Sequence, residues 1–206
     1  MTTQSAPGVL TIGHSNHSME RFVELLRLHG VTAVADVRSQ PFSRLHPEFN
    51  RDALRASLKT QGIAYVFLGR ELGARSEDPS CYEQGKVQYR KLAQTDLFKN
   101  GLERVMTGAE SHRIALMCAE REPLVCHRAI LVAREVEALG AGVAHIHVDG
   151  TLETHDQALE RLLAQFGLHE PDLFRTRLES IDQAYALQEQ RIAYVDEDMR
   201  VDTEAA

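Results

Sequence analysis

The chain has 206 residues, 43% of them hydrophobic, with 13 Gly and 6 Pro, enough for one well-buried core with or without an appendage. Its 23 Lys and Arg stand against 30 Asp and Glu, a formal charge of −7, which argues against a surface built to track duplex nucleic acid. No apolar stretch approaches the ~20 residues that cross a bilayer, and Met1 to Gly8 lacks the basic start and apolar run of a signal peptide. Three cysteines at irregular spacing, Cys81, Cys118 and Cys126, do not read as a disulfide framework. The expectation is a reduced, cytoplasmic protein with no membrane partner; association with further copies of itself is left open.

Short apolar runs alternate with helical patterns along the chain. Val9 to Gly13 is the first strand candidate, followed by a helix over Met19 to His29, where Phe22, Leu25, Leu26 and His29 recur at helical spacing before Gly30. Thr32 to Val37 is the second strand. A helix over Asp52 to Gln61 ends at Gly62 and leads to a third strand, Ile63 to Leu68. Gly69 to Ser111 is a long insertion with an irregular polar start, and a lid is one reading of it. Ile114 to Cys118 is the fourth strand, a polar loop leads to a helix over Ala129 to Leu139 stopped by Gly140, and Ala144 to Val148 is the fifth. This alternation predicts a single α/β domain over residues 1–168, with a mainly parallel, Rossmann-like five-stranded sheet flanked by helices. Beyond Leu168, residues 169–206 read as a helical extension opened by Pro171 and running to about Ile192, with an acidic, frayed tail from Val195.

Ligands of such sheets bind beyond the carboxyl ends of the strands, and each predicted strand ends in polar chemistry. His14, Ser15 and Asn16 follow the first; Asp36, Arg38 and Ser39 close the second; Arg70 and Glu71 follow the third; Cys118 and Glu120 end the fourth; Asp149 follows the fifth. Cys126-His127-Arg128 stands where a helix is about to begin. There, unpaired N–H groups and the positive end of the helix dipole favour anions and thiolates. The first and fourth strands are expected to be neighbours at the point where strand order reverses.

These residues also carry a resemblance. Thr11-Ile12-Gly13-His14-Ser15-Asn16, Asp36-Val37-Arg38 with Pro41, Ser43 and Arg44, and Gly62-Ile63-Ala64-Tyr65 with Leu72-Gly73 come first. Met117-Cys118-Ala119-Glu120, Cys126-His127-Arg128 and His145-Ile146 through Asp149-Gly150 follow in order. Together they resemble the domain of unknown function 488 family. The resemblance implies a compact α/β domain with a shared polar site at these positions and supplies no reaction. Where many relatives are expected to carry Leu-Gly-Gly, this chain has Leu72-Gly73-Ala74.

The residues suggest a pocket for a phosphate-bearing or nucleotide-like anion, held by Arg38, Arg44 and Arg128 with Ser15 and Asn16 beside them. Two sets of catalytic candidates stand open. Cys126 can act as an activated thiolate with His127 or His14 as base, or Glu120 and Asp36 can form a carboxylate pair that handles water. Either would make the chain a hydrolase or transferase; the alternative is a non-catalytic module that senses a small ligand or docks a protein. Cys118, Cys126, His127 and His14 could ligate a divalent metal. No cofactor is predicted, however, because the spacing is wide and the adjacent Cys126 and His127 are expected to point apart. A Cys118–Cys126 redox pair is a further reading. A Cys-x5-Arg phosphatase loop is absent, since Leu124 and Val132 occupy the Arg positions, and Gly13-His14-Ser15-Asn16 is neither a dinucleotide fingerprint nor a Walker loop.

Overall fold

The computed structural model describes residues 8–169 and 175–199. The five predicted strands form β1 (Val9–Gly13), β2 (Ala33–Asp36), β3 (Ala64–Phe67), β6 (Ile114–Cys118) and β7 (Val143–Ile146). All of them run parallel. The helices between them are α1 (Met19–Leu28), α2 (Arg51–Thr60), α3 (Gly69–Leu72), α4 (Tyr89–Gln94), α5 (Asp96–Ala109) and α6 (Arg134–Ala138). A sixth strand, β8 (Leu152–Thr154), was not anticipated and pairs antiparallel with β7, so the sheet order is β3-β2-β6-β1-β7-β8. Its turn contains Asp149-Gly150, with Gly150 at a φ of 92°, a pairing that favours hairpins for this reason. Two helices follow: α7 (His155–Gln165) and α8 (Arg177–Ile192).

Strand alternation sorts the core into two layers. Leu10, Ile12, Val34, Ala115, Met117, Ala144 and Ile146 face α1 and α2, meeting Phe22, Leu25, Leu26, Leu54 and Leu58. Val9, Ala35, Leu116, Cys118 and Val143 face the other way, onto Phe98, Leu102, Val105, Ile130, Leu131, Val136, Leu162 and Ala184. The order of the strands decides where a site can form. From β1 the chain moves to β2 on one side, whereas from β6 it crosses β1 to reach β7 on the other. β1 and β6 are direct neighbours, Val9 opposite Ile114 through Gly13 opposite Cys118, so the expected adjacency at the reversal holds.

Three expectations need correction. The Gly69 to Ser111 insertion is not a lid. Its Cys81, Val87, Tyr89, Leu92 and Phe98 are buried in the second layer, with a small hairpin of β4 (Tyr82–Glu83) and β5 (Lys86–Val87). The helix expected over Ala129 to Leu139 begins as a π-helical segment, Arg128–Ala133, before α6, the wide-turn geometry that recurs at functional sites. Val195 is not frayed: it bridges to Lys86, and the Val87 amide donates to the Tyr194 carbonyl at 3.0 Å. Pro171 and the part of the expected tail from Arg200 onward lie outside the described residues. No helix among the described residues is long and apolar enough to cross a membrane.

Candidate functional site

The loop after β6 is built around a glycine and an arginine. The Glu120 carbonyl lies so close to Gly13 that a Cβ there would sit 1.8 Å from it, which is why β1 ends in glycine. Arg128, fully buried, donates from Nη1 to the Glu120 carbonyl at 2.6 Å and from Nη2 to the Arg121 carbonyl at 3.1 Å. Its Nε has no partner among the described residues. The His14 and Ser15 amides donate to the Cys118 and Ala119 carbonyls, each at 2.9 Å. The loop is thereby pinned to the end of β1.

That loop delivers two thiols, an imidazole and a carboxylate to one place. Cys126 Sγ lies 2.9 Å from Glu120 Oε2. His127 Nδ1 lies 3.8 Å from Cys126 Sγ and 3.8 Å from Cys118 Sγ. His127 Nε2 sits 3.0 Å from the Val37 carbonyl; a carbonyl only accepts, so Nε2 carries a proton and Nδ1 turns to the sulfurs. Cys126 and His127 do not point apart. Backbone torsions change from extended at Cys126 (φ −134°, ψ 140°) to helical at His127 (φ −58°, ψ −25°), and this swings both side chains to one side.

The acidities separate accordingly. Burial alone would raise Cys126, but the hydrogen bond from Cys118, the Arg128 guanidinium and His127 outweigh it and hold the thiol well below its ordinary range. Cys118 is pushed well above that range by its hydrogen bond to Cys126 and by burial. Burial works against protonation of His127, yet contact with Cys126 raises it on balance. Glu120 has one side open to solvent and the other crowded by protein, and this desolvation, together with Cys126, raises its carboxyl. A proton on either Cys126 Sγ or Glu120 Oε2 makes the 2.9 Å contact between them a hydrogen bond.

These groups form the floor of a cavity of about 350 Å³, near the lower end of ligand-site volumes. Of the predicted site residues, Cys126, His127, Glu120 and Arg38 line it, with Cys118 beside them. The walls also include Ser39, Phe42, Arg75, Tyr89, Ile192 and Tyr194. Arg75 stacks its guanidinium on the Tyr194 ring at 4.4 Å, and its amide donates to Ser39 Oγ at 3.0 Å. Tyr89 is 4% exposed, and burial followed by the Cys126 charge raises its phenol. Arg75, Tyr89 and Tyr194 were missed because no local pattern marks them. A larger groove of about 730 Å³ between α1 and α2, lined by Met19, Glu20, Val23 and Arg27 among others, holds no thiol and no strand end.

Other predicted residues lie elsewhere. Asp36, fully buried, is no partner for Glu120. It accepts from the Arg38 amide at 3.1 Å, from Arg38 Nε at 2.9 Å and Nη2 at 2.7 Å, and from the Tyr65 hydroxyl at 2.8 Å. This spends its acceptor capacity on anchoring Arg38, whose Nη2 also donates to the Phe49 carbonyl at 2.8 Å. Arg128 faces the loop carbonyls and does not pair with Arg38 around an anion. His14 stacks on Phe49 at 4.4 Å, and its Nδ1 sits 3.0 Å from the Ser15 carbonyl. Burial and Arg38 lower its pKa to about 4. Ser15 bonds Asn16 at 3.2 Å; both, like exposed Arg44, stand outside the cavity wall. Arg70 is exposed, Glu71 pairs with Arg104, and Asp149 accepts from the Thr151 amide at 2.9 Å within its turn. The third and fifth strand ends therefore contribute nothing to the cluster.

A mainly parallel sheet with a thiol–imidazole–carboxylate cluster beside its reversal of strand order defines an α/β protein of the crevice type. The chain belongs to the family described as Domain of unknown function DUF488, whose model matches residues 18–134. The match takes in Asp36 through Arg128 and excludes β1 as well as Ile192 and Tyr194. Among curated proteins and among solved structures, none matches.

Proposed function

We propose that the cavity is the active site of a thiol-dependent enzyme, a hydrolase or transferase, acting on a small phosphate-bearing, nucleotide-like ligand. The observation that carries this reading is the convergence of Cys126, His127 and Glu120 on the cavity floor beneath two arginines on its wall. Cys126 is the nucleophile, with His127 and Glu120 exchanging the proton. Arg75, and Arg38 through the Nη1 that makes no hydrogen bond among the described residues, meet the anion. Phe42 and Tyr194 offer ring faces to the rest of the ligand. A carboxylate pair no longer competes, because Asp36 is committed to Arg38 and Tyr65. A sensing module would use the arginines but has no role for a carboxylate held against a thiol. A reducing, cytoplasmic setting belongs to this reading, since the reaction needs a free thiol.

Thermal unfolding against inorganic phosphate, nucleotides and sugar phosphates tests it. A ligand at one hundred times its Kd stabilises by about 2.7 kcal/mol, or roughly 5–11 °C in Tm for a chain this size. The shift should shrink in Arg75→Gln. Stabilisation undiminished in that variant would place the ligand elsewhere, and no stabilisation by any anion would remove the anion pocket.

A further inference from the structure

The same floor has the composition of a metal site, and this goes beyond the proposed thiol chemistry without depending on it. The Sγ atoms of Cys118 and Cys126 and Nδ1 of His127 all lie within 4.8 Å of one another, and all three residues are buried. Zinc holds sulfur at ≈2.3 Å and imidazole nitrogen at ≈2.0–2.1 Å, so neighbouring sulfur and nitrogen donors of a tetrahedral site are about 3.6 Å apart. Both observed sulfur–nitrogen separations are 3.8 Å, close to that spacing, and the two sulfurs lie within 4.8 Å of each other. The donor set is soft, two thiolates and an imidazole, and favours zinc over magnesium or calcium.

Two further features match what metal ligands need. A ligating histidine is oriented by a hydrogen bond from its other ring nitrogen, and here Nε2 is held on the Val37 carbonyl. The Arg128 amide approaches Cys126 Sγ at 3.4 Å, a donor suited to a bound thiolate. The Glu120 carboxylate lies 2.9 Å from Cys126 Sγ but does not share the mutual spacing of the other three donors, which leaves the fourth position to a small ligand from the cavity. The cluster lines the cavity, so an ion has a way in.

We infer that Cys118, Cys126 and His127 form a three-point site for zinc or a similar soft divalent cation, its fourth position turned to the cavity. Metal and electrophile then compete for Cys126, so metal loading masks the thiol.

Cobalt(II) titration of the metal-free, reduced protein tests the site. The expected result is one equivalent bound, with a thiolate-to-cobalt charge-transfer band and the intense visible bands of tetrahedral cobalt, displaced by zinc. Cys118→Ala and Cys126→Ala should each abolish the charge-transfer spectrum or reduce it markedly, whereas Cys81→Ala should keep it. If an alanine variant does not fold, zinc protection of wild-type Cys126 against alkylation, measured by peptide mass spectrometry, gives the same answer. Absence of the charge-transfer band in wild type, its undiminished persistence without Cys118, or alkylation unaffected by zinc would overturn the inference. Alkylation of the metal-free protein reports separately on the thiol reading. Fast labelling without cobalt binding removes only the metal, and cobalt binding with inert Cys126 removes only the nucleophile.

Discussion

Replacing Asp36 by Asn separates anchoring from catalysis. Asp36 is wholly buried and Arg38 is 5% exposed, and the carboxylate is the only anion paired with that guanidinium among the described residues. Asparagine keeps the shape but leaves a buried charge uncompensated, a change that costs about 3–5 kcal/mol. For a chain of this length that lowers Tm by roughly 6–20 °C. Tyr65→Phe removes only the hydroxyl that donates to Asp36 Oδ2 and should cost about 1.5 kcal/mol, the low end for hydrogen bonds to charged groups, because the ring is half-exposed. Thermal unfolding and urea titration of both variants provide the comparison. A Tm for Asp36→Asn within about 2 °C of wild type, less than 1 kcal/mol, would refute the anchoring role and return Asp36 to the list of reacting groups.

Arg128→Lys should destabilise by about 1.5–3 kcal/mol, because an ammonium cannot hold the Glu120 and Arg121 carbonyls together; unchanged urea stability would show that the loop is held by other means. Stability should also fall in acid. His155, whose pKa burial lowers to about 4, and His145, lowered well below its ordinary value by burial and by His155, are neutral when folded. They form a chain from Thr11 through His145 and His155 to Tyr185, with a 3.0 Å link between the rings that admits one proton. The unfolded chain takes up protons below about pH 6.5 while the folded one does not, so stability is full above that pH. It drops towards pH 4 by up to about 3 kcal/mol for His155 alone. Urea unfolding between pH 8 and 4.5 that shows no decline, or the same decline in His155→Gln, would contradict this.

Much of the frame was legible because its signals are local. Apolar runs, most of them bounded by glycine, located five strands within a residue or two at most ends, and the residues picked out at the end of β6, Cys118 and Glu120, line the cavity. What failed depends on pairing. A carboxylate at the end of β2 looks the same in sequence whether it faces a cavity or bends back to an arginine two residues on, and Asp36 does the latter. Arg128 follows a cysteine and a histidine as an anion-binding arginine would, yet a Glu120 carbonyl lodged against Gly13 draws it inward. Asp149 was counted among the polar residues at strand ends, and with Gly150 it forms a hairpin turn. Arg75, Tyr89 and Tyr194 reach the cavity only through tertiary packing, one of them from beyond the predicted domain, so no window of sequence could have joined them to Cys126.

The central claim, a nucleophilic Cys126 beneath an anion-binding wall, is tested most directly by alkylating the metal-free protein with iodoacetate and with iodoacetamide and mapping the labelled thiols by mass spectrometry. Cys126 should be modified ahead of Cys81 and Cys118. Its preference for the anionic reagent should exceed that of a small free thiol, and Arg75→Gln should abolish the excess. An inert Cys126, or a reagent preference equal to the free thiol's in both proteins, would contradict the claim.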